Sequence, residues 1–376
     1  MVIMGTTTVE FMFNQLSLAQ KSSTSLDSVE EDYVLNISSQ NGDGNYIAAT
    51  SSDFSARLFS KDTLAVAGVV KGHTDVLSDI CWGKSDINLL FTSSKDKTVR
   101  CWDTRMKLTK EVQSFKGSEE CVNVYTCVDI NLTDQVLCAG QEVDKDGNVF
   151  LHFWDRRQTE VLGAYSESHQ DDITQVKFHP TQADKLISGS TDGLVCLYDI
   201  SETCEDDALS YTFNSCSTVA SIGWCGDRTD QVYCTTHIDT LHVWDTIEGD
   251  DLYENTDLKE ILKDKNSIDY IVDLIVGEGD KYLVLAGKHN GEMRVIELSS
   301  SDKVSSVICN LSGGHKATIR CLYWNNKDKY LVTGAEDSLL CLWSACGNKL
   351  DTATSDGLKK AKMKNRKTVS KRSHPY

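Results

Sequence analysis

Short apolar runs of five to seven residues, separated by turns that contain Gly or Asp, fill most of the chain. One unit consists of Leu77 to Trp82, then Leu89 to Ser93, then Thr98 to Trp102, and similar units follow it. The runs are rich in Val, Ile, Leu, Thr and aromatic residues and are bounded by turn residues, which predicts strands and not helices. We therefore expect an all-β protein.

The third run of each unit ends on a large side chain, and this anchor recurs at Phe59, Trp102, Trp154, Tyr198, Trp244, Ile296 and Trp343. Consecutive anchors are 43 to 52 residues apart, which brackets the period of a four-stranded propeller blade with loop insertions. A single blade cannot bury both faces of its sheet, whereas seven blades around an axis bury each face against a neighbour. The pattern predicts a seven-bladed propeller over residues 9–350.

Two dipeptides recur with these anchors: Gly72-His73 precedes Trp102-Asp103, and Gly314-His315 precedes Trp343. With them the chain resembles the WD-repeat family, and the resemblance covers residues 9–350. It implies a buried chain of four side chains in a blade: a His from the entering loop, a Ser or Thr on the second strand, an Asp in the next turn and the anchor. These structural tetrads are expected to be His73, Thr92, Asp96 and Trp102; His169, Ser188, Asp192 and Tyr198; and His315, Thr333, Asp337 and Trp343.

A buried carboxylate is costly unless donors surround it, and a His, a hydroxyl and an indole N–H can form one satisfied network around it. A recurring Ser or Thr, His and Asp also fits a hydrolase. A nucleophile is expected once in a chain, whereas a set that recurs three times indicates a scaffold. We expect no enzyme activity, no catalytic residue and no cofactor.

Three blades depart from the tetrad. The first has Asp53 but Phe59 and no Gly-His, the fifth has Trp244 but no Asp at the turn, and the sixth ends on Ile296. We expect these blades to depend more on apolar packing.

The N-terminal segment is expected to close the ring. The family resemblance implies that the first strand of the chain supplies the outer strand of the last blade. Residues 9–18 are the apolar segment available for this before the first blade begins near Tyr33. Residues 1–8 are expected to be a flexible N-terminus.

The formal charge is −18, but residues 357–376 contain eight Lys or Arg and no acid, which leaves −26 for the rest. A negative body disfavours direct nucleic-acid binding, because phosphate contacts need a basic surface. It suits a basic protein partner, such as a ribosomal protein or a histone. The basic segment 351–376 has no hydrophobic period and is expected to be disordered. It fits a nuclear-import signal, a weak RNA contact or a solubilising extension.

Cysteine, metal and targeting patterns narrow the function further. The fourteen cysteines include no Cys-x-x-Cys pair, so we expect structural thiols and no metal site. Asp144, Asp146 and Asn148 alternate as in a calcium loop, but Val149 stands where such a loop needs Gly.

No long apolar segment or signal peptide is evident in the sequence. An intracellular monomer, in the nucleus or cytoplasm and away from membranes, is predicted.

Two matches to Trp-Asp-x-Arg occur on consecutive blades, Trp102-Asp103-Thr104-Arg105 and Trp154-Asp155-Arg156-Arg157. Among WD-repeat proteins this pattern is associated with substrate receptors of cullin-4-type ubiquitin ligases, which dock on the damaged-DNA-binding adaptor. The Arg follows the third strand, on what we call the lower rim of the ring, where a long cation can reach an acidic partner. The residues predicted to dock are Trp102, Asp103, Arg105, Trp154, Asp155 and Arg157.

The opposite edge of the ring, here called the upper face, commonly binds partners in propellers. By position its residues include Val76, Ser78, Lys95, Asp172, Thr174, Thr191, Thr318, Arg320 and Glu336. This set mixes small, polar and charged side chains and contains no cluster of exposed aromatics, so it predicts no strong peptide-binding hot spot. Arg320 is its expected anchor.

The sequence thus predicts a non-catalytic propeller that mediates protein–protein interactions. Two specific versions stay open: a substrate receptor of a cullin-RING ubiquitin ligase, which depends on Arg105 and Arg157, and an acidic escort of a basic protein, which depends on the charge of the body.

Overall fold

The computed structural model describes residues 13–24, 32–117, 123–226, 228–255, 258–262, 267–276, 281–299 and 306–345. They form seven antiparallel four-stranded sheets that follow one another along the chain. The predicted all-β, seven-bladed propeller is confirmed. The predicted flexible segment 1–8 and basic tail 351–376 lie outside the described residues.

Each blade is a meander of four strands. Strand β1 is Leu16–Ser23. Blade 1 contains β2 Val34–Ser39, β3 Tyr46–Ser51, β4 Ala56–Ser60 and β5 Val66–Val70; blade 2 contains β6 Leu77–Trp82, β7 Leu89–Ser94, β8 Val99–Asp103 and β9 Gln113–Phe115; blade 3 contains β10 Tyr125–Ile130, β11 Val136–Gln141, β12 Leu151–Asp155 and β13 Val161–Tyr165; blade 4 contains β14 Ile173–Phe178, β15 Lys185–Ser190, β16 Leu194–Asp199 and β17 Leu209–Asn214. Blade 5 contains β18 Val219–Cys225, β19 Gln231–Thr236, β20 Leu241–Asp245 and β21 Asp251–Asn255; blade 6 contains β22 Tyr270–Val276, β23 Lys281–Gly287, β24 Met293–Ser299 and β25 Ser306–Leu311; blade 7 contains β26 Ile319–Asn325, β27 Tyr330–Ala335 and β28 Leu339–Ala345. Single helical turns occupy Glu205–Ala208 and Leu258–Ile261.

Apolar clusters lie between neighbouring blades. One joins Phe91 of blade 2 to Leu137 of blade 3, and another joins Val195 of blade 4 to Val232 of blade 5. The strands that carry them are apolar on both faces, as expected for sheets covered on both sides. The core is therefore a set of interfaces between blades.

The first strand of each blade carries a β-bulge near its start. In blade 2 the pairing skips Ser78, and in blade 3 it skips Thr126. A bulge re-aims the residue that it leaves unpaired. Here the freed hydroxyls join blades, because Ser78 Oγ donates to the carbonyl of Tyr125 at 2.6 Å and Thr126 Oγ1 donates to that of Ile173.

Strand β1 closes the ring by pairing with β28 as the fourth strand of blade 7. Lys21 Nζ donates to the carbonyls of Gly313 and Gly314 at 2.7 and 2.5 Å, and Phe13 stacks on Trp324 with ring centroids 4.5 Å apart. The predicted closure by an N-terminal strand is confirmed. Its predicted bounds, residues 9–18, were wrong, because an outer strand needs only one apolar face and the half-polar stretch 16–23 provides it.

Candidate interaction surface

The blade 2 tetrad forms a continuous hydrogen-bonded chain. His73 Nδ1 lies 2.8 Å from Asp96 Oδ2, His73 Nε2 lies 2.7 Å from Thr92 Oγ1, and the indole N–H of Trp102 donates to Thr92 Oγ1 at 2.9 Å. Because a carboxylate only accepts, Nδ1 carries the proton and Nε2 accepts from the Thr92 hydroxyl. Asp96 also accepts from Thr98, and these bonds, against the effect of burial, hold its pKa well below the ordinary value.

The same arrangement recurs in blades 4 and 7. The structure joins His169 to Asp192 and Ser188 at 3.1 and 2.6 Å, and His315 to Asp337 and Thr333 at 3.1 and 2.8 Å. Trp343 donates to Thr333 at 2.9 Å, whereas in blade 4 the Tyr198 hydroxyl takes the place of the indole, 3.4 Å from Ser188.

Burial separates these tetrads from a catalytic triad. Thr92, Ser188 and Thr333 are 0% exposed, so a substrate cannot reach their hydroxyls. The hydroxyl of each set is held between the imidazole and the anchor of its own blade. The tetrads therefore serve to hold each entering loop against its sheet.

Blades without the full tetrad use other polar contacts. In blade 1 the buried Arg57 forms an ion pair with Asp53 at 2.5 Å. In blade 3 the indole of Trp154 donates to the carbonyl of Lys116 at 3.1 Å and stacks with His152. Burial of His152 lowers its pKa to about 4.

The expectation that blade 5 lacks an Asp in its turn was wrong, because Asp239 lies there. Asp239 lies in the turn between β19 and β20, one position later than the corresponding Asp of blades 2, 4 and 7, and has a positive φ of 63°. Its carboxylate accepts the Ile271 amide at 2.6 Å and pairs with Lys259. This Asp therefore connects blade 5 to blade 6.

On the lower rim, the two Trp-Asp-x-Arg segments have the same geometry. Arg105 donates to Asp103 through Nε at 2.9 Å and through one terminal nitrogen at 2.7 Å, and its backbone N–H also reaches Asp103. Arg157 makes the same fork with Asp155 at 2.9 and 2.5 Å. Hydrogen bonding by Arg157 lowers the pKa of Asp155 to about 2. The Asp of each pair therefore orients the Arg two residues later.

Both guanidinium groups stay accessible. The side chain of Arg105 is 59% exposed and that of Arg157 is 68% exposed. Within the part of the chain that the structure describes, neither Nη1 group donates to an acceptor. Each Arg is thus held by its own blade and presents a free face to solvent.

A second carboxylate, that of Asp134, holds the turn that contains Asp86, a neighbour of Arg105. Asp134, in the first turn of blade 3, accepts the backbone N–H groups of Lys84, Ser85 and Asp86 of blade 2 at 2.6, 3.0 and 2.6 Å. Asp86 lies 3.4 Å from the Arg105 guanidinium. Three consecutive amides around one carboxylate form a nest, so the lower rims of blades 2 and 3 form one frame.

Exposed apolar side chains flank this frame. Met106 is 66% exposed, Leu132 39% and Leu162 60%. Met106 follows Arg105 directly, and Leu132 lies in the same turn as Asp134. Aliphatic side chains beside an accessible Arg are typical of an interface core with a charged rim.

On the upper face, several of the predicted residues already have partners within the chain. Thr174 Oγ1 donates to the Gly189 carbonyl of its own blade at 3.1 Å, whereas Ser78 donates to blade 3. The predicted anchor Arg320 pairs with Glu336 through Nε at 2.8 Å. Lys95 pairs with Glu142 at 3.0 Å. Asp172 accepts the Val143 amide, Thr191 Oγ1 donates to the Asp172 carbonyl, and Val76 and Thr318 are half-buried in the entering loops.

Sequence reasoning missed two aromatic residues on this face. Tyr33 is 46% exposed and Phe54 is 43% exposed, and Tyr33 exchanges hydrogen bonds with Ser52 at 3.0 Å. Phe54 has a φ of 64°, which is a strained conformation for a bulky residue. Neither residue belongs to the set predicted for the upper face. The signal was the Ser-Asp-Phe-Ser turn at 52–55, where a Gly or Asn is the usual residue.

The Asp144 turn and the cysteines make local contacts. Asp144 accepts the backbone amides of Asp146 and Asn148 at 2.8 Å, which closes a polar hairpin. Over the described ranges, no group of His, Cys, Asp or Glu is arranged to hold a metal ion. The described cysteines form no disulfide; Cys204 and Cys216 are exposed and the others are buried. No helix in the described part of the chain has the length and apolar character needed to span a membrane.

Comparison with known proteins supports this architecture. The family model described as "WD domain, G-beta repeat" matches residues 65–103, 161–199 and 305–344, and these are the repeats that end in the three tetrad-bearing blades. The chain is 28% identical over 363 residues to "WD repeat-containing protein 89 homolog" of Dictyostelium discoideum, covering 94% of each chain.

Two further relatives are similar to this chain over a smaller part of its length. The "WD repeat-containing protein GTS1" of Arabidopsis thaliana is 28% identical over 319 residues, covering 81% of this chain and 79% of that protein. The "GATOR2 complex protein WDR24" of Danio rerio is 25% identical over 175 residues, which are 46% of this chain and 21% of that protein. With seven four-stranded blades, three buried tetrads and these matches, the chain has the fold and the repeat pattern of WD-repeat proteins.

Proposed function

We propose that this chain is an interaction scaffold that docks through the lower rim of blades 2 and 3, and that it does so as a substrate receptor of a cullin-4-type ubiquitin ligase. WD-repeat propellers are generally non-catalytic scaffolds. The observation that carries the specific proposal is the pair of matching Arg forks, Arg105 on Asp103 and Arg157 on Asp155, on consecutive blades.

The forks suit recognition of an acidic partner. An Arg that is already oriented by a carboxylate loses less side-chain entropy when it binds, and its free nitrogen can donate to a second carboxylate. Exposed ion pairs contribute little to folding stability. The Arg residues are therefore better explained by a contact outside the chain than by the stability of the propeller.

The surroundings add to this proposal. Asp134 holds the turns of blades 2 and 3 together, so a partner meets a rigid surface, and the exposed Met106, Leu132 and Leu162 can supply the apolar part of an interface. A relative named as a protein of the GATOR2 complex supports assembly into a complex as a general role for propellers of this kind.

A second candidate function is escort of a basic protein. It is favoured by the turn between β20 and β21, where Glu248, Asp250 and Asp251 are exposed beside Ile247, which is 58% exposed. This surface combines negative charge with an apolar contact. Binding there would weaken steeply with salt, because exposed charges are screened within about 8 Å at physiological ionic strength.

The test is affinity capture of the intact protein from cells, compared with the double variant Arg105→Ala, Arg157→Ala. Arg228→Ala is the matched control, because Arg228 is also exposed and pairs with an Asp two residues away, Asp230, at 3.1 Å. The receptor proposal predicts that the cullin adaptor is recovered with the wild type and the control and lost with the double variant. Recovery of basic proteins by all three forms, without the adaptor, would instead support the escort.

A further inference from the structure

A cavity of about 480 Å³ lies in the central channel of the propeller, where the first strands of the blades meet. Most of its lining comes from these strands in six blades, and the rest comes from Lys84, Pro180 and Tyr233. Charged side chains of both signs line it, among them Asp129, Lys177 and Asp273. Asp129, Lys177 and Asp273 belong neither to the tetrads nor to the lower-rim surface.

Two of the carboxylates in and beside this cavity are fully engaged by the fold. Asp129 accepts the Phe178 amide at 2.8 Å and pairs with Lys84 at 3.0 Å. Asp79 accepts the amides of Ile80 and Val128 at 2.8 and 3.1 Å. Their role is to join the first strands of blades 2, 3 and 4, and they leave little capacity for a ligand.

Lys177 of blade 4 is different. Its backbone is fixed, because its amide and carbonyl belong to strand β14 and its carbonyl also accepts the indole N–H of Trp224 at 3.1 Å. Within the described ranges its ammonium has no hydrogen-bond acceptor and no ion-pair partner. Burial lowers its pKa, but the negative charges of Asp79 and Asp129 outweigh that effect, so it stays charged. Lys177 is half-buried, so its three N–H donors are available to a ligand in the cavity.

Asp273 of blade 6 has one free oxygen. Its Oδ1 accepts from Ser221 Oγ, the Tyr233 hydroxyl and the Leu274 amide, each at 2.9 Å. Oδ2 has no donor among the described residues. Burial raises the pKa of Asp273, although its three hydrogen bonds and the charge of Lys177 act in the opposite direction. The cavity thus offers one unpartnered cation and one carboxylate oxygen that can still accept.

We propose that the central channel binds a small zwitterion of the α-amino acid class, with its carboxylate on Lys177 and its ammonium group on Asp273. The negative charges of Asp79, Asp129 and Asp273 would repel a simple anion. The positive charge of Lys177 would repel a simple cation. A ligand that carries both charges matches both groups, and the apolar lining residues Phe178, Val272 and Leu322 provide contacts for an aliphatic side chain. The proposal is independent of the lower-rim docking.

The probes are valine, isovalerate and valinamide, which keep one shape while the ammonium or the carboxylate is removed in turn. Thermal unfolding and titration calorimetry are recorded with each probe at millimolar concentration, and thermal unfolding is repeated with each of the other standard amino acids. We expect at least one aliphatic amino acid to raise Tm and to give a saturable heat, because a ligand that binds only the folded state stabilises it. Isovalerate and valinamide should do neither.

Two variants test the residues. Lys177→Met and Asp273→Asn should each abolish the rise in Tm, and Asp273→Asn retains an oxygen for its three donors, so its fold is preserved. Lys185→Met, on the neighbouring strand of the same blade and outside the cavity, should bind as the wild type does. The proposal is overturned if no standard amino acid raises Tm or produces a binding heat with the wild type. It is equally overturned if Lys177→Met and Asp273→Asn, both folded, bind as the wild type does, or if isovalerate binds as well as valine.

Discussion

The hydroxyl of Thr92 is the single atom on which the blade 2 network depends. It donates to His73 Nε2 at 2.7 Å and accepts the Trp102 indole N–H at 2.9 Å, and both Thr92 and Trp102 are 0% exposed. Thr92→Val keeps the shape of the side chain and removes the hydroxyl. Two buried polar groups then lose their partner, at about 1–3 kcal/mol each, so the free energy of unfolding should fall by about 2–6 kcal/mol.

The assay is urea unfolding followed by tryptophan fluorescence. Thr92→Ser retains the hydroxyl and should recover most of the loss, whereas the exposed Thr159→Val should change stability by no more than about 0.5 kcal/mol. If the free energies of unfolding of Thr92→Val and Thr159→Val differ by no more than about 0.5 kcal/mol, the network contributes nothing to stability. The reasoning from buried hydrogen bonds is then refuted.

Three further predictions concern other parts of the fold. Lys21→Met removes two hydrogen bonds that hold β1 against blade 7. The free energy of unfolding should fall by only about 1 kcal/mol, because Lys21 is exposed. Hydrogen exchange at the β1–β28 pairing measures the effect, and unchanged exchange would contradict the prediction. Glu205 accepts the amides of Ser166 and Ser168 at 2.6 and 2.8 Å, so Glu205→Ala should speed amide exchange in residues 166–168 and leave exchange in blade 6 unchanged. The pKa of His152 is lowered by burial to about 4, so the unfolded chain binds more protons between about pH 4 and 6.5. Wild-type stability should therefore rise with pH through that window, and more steeply than in His152→Gln; equal slopes in urea unfolding would show that His152 is not the group responsible.

The repeat made most of the fold predictable. The first three strands of blade 2 were predicted to within one residue, because an aromatic anchor, a turn Asp and a Gly-His loop set the phase of the repeat. The bounds of β1 were not predicted correctly, because an outer strand with alternating exposed residues resembles a polar linker in sequence. The tetrads follow from the same local spacing, and the structure brings their predicted members together.

The remaining contacts join residues that no local pattern connects. Asp134 lies about fifty residues from the amides that it accepts, and Glu205 about forty from its own. The pairing of Arg320 with Glu336 depends on which residue the bulge leaves unpaired, which the sequence does not indicate. The cavity around Lys177 is lined by residues from all seven blades, so only the assembled ring defines it.

The most direct test of the docking surface is a binding measurement with purified proteins. The damaged-DNA-binding adaptor is titrated into the wild type, into Arg105→Ala, Arg157→Ala and into Arg228→Ala, each shown to be folded, at low and at high salt. The account predicts saturable binding to the wild type and to Arg228→Ala, weakened at high salt, and a loss of at least tenfold in affinity for the double variant, which is about 1.4 kcal/mol. Equal affinity for all three forms, or no binding to any of them, would contradict the account.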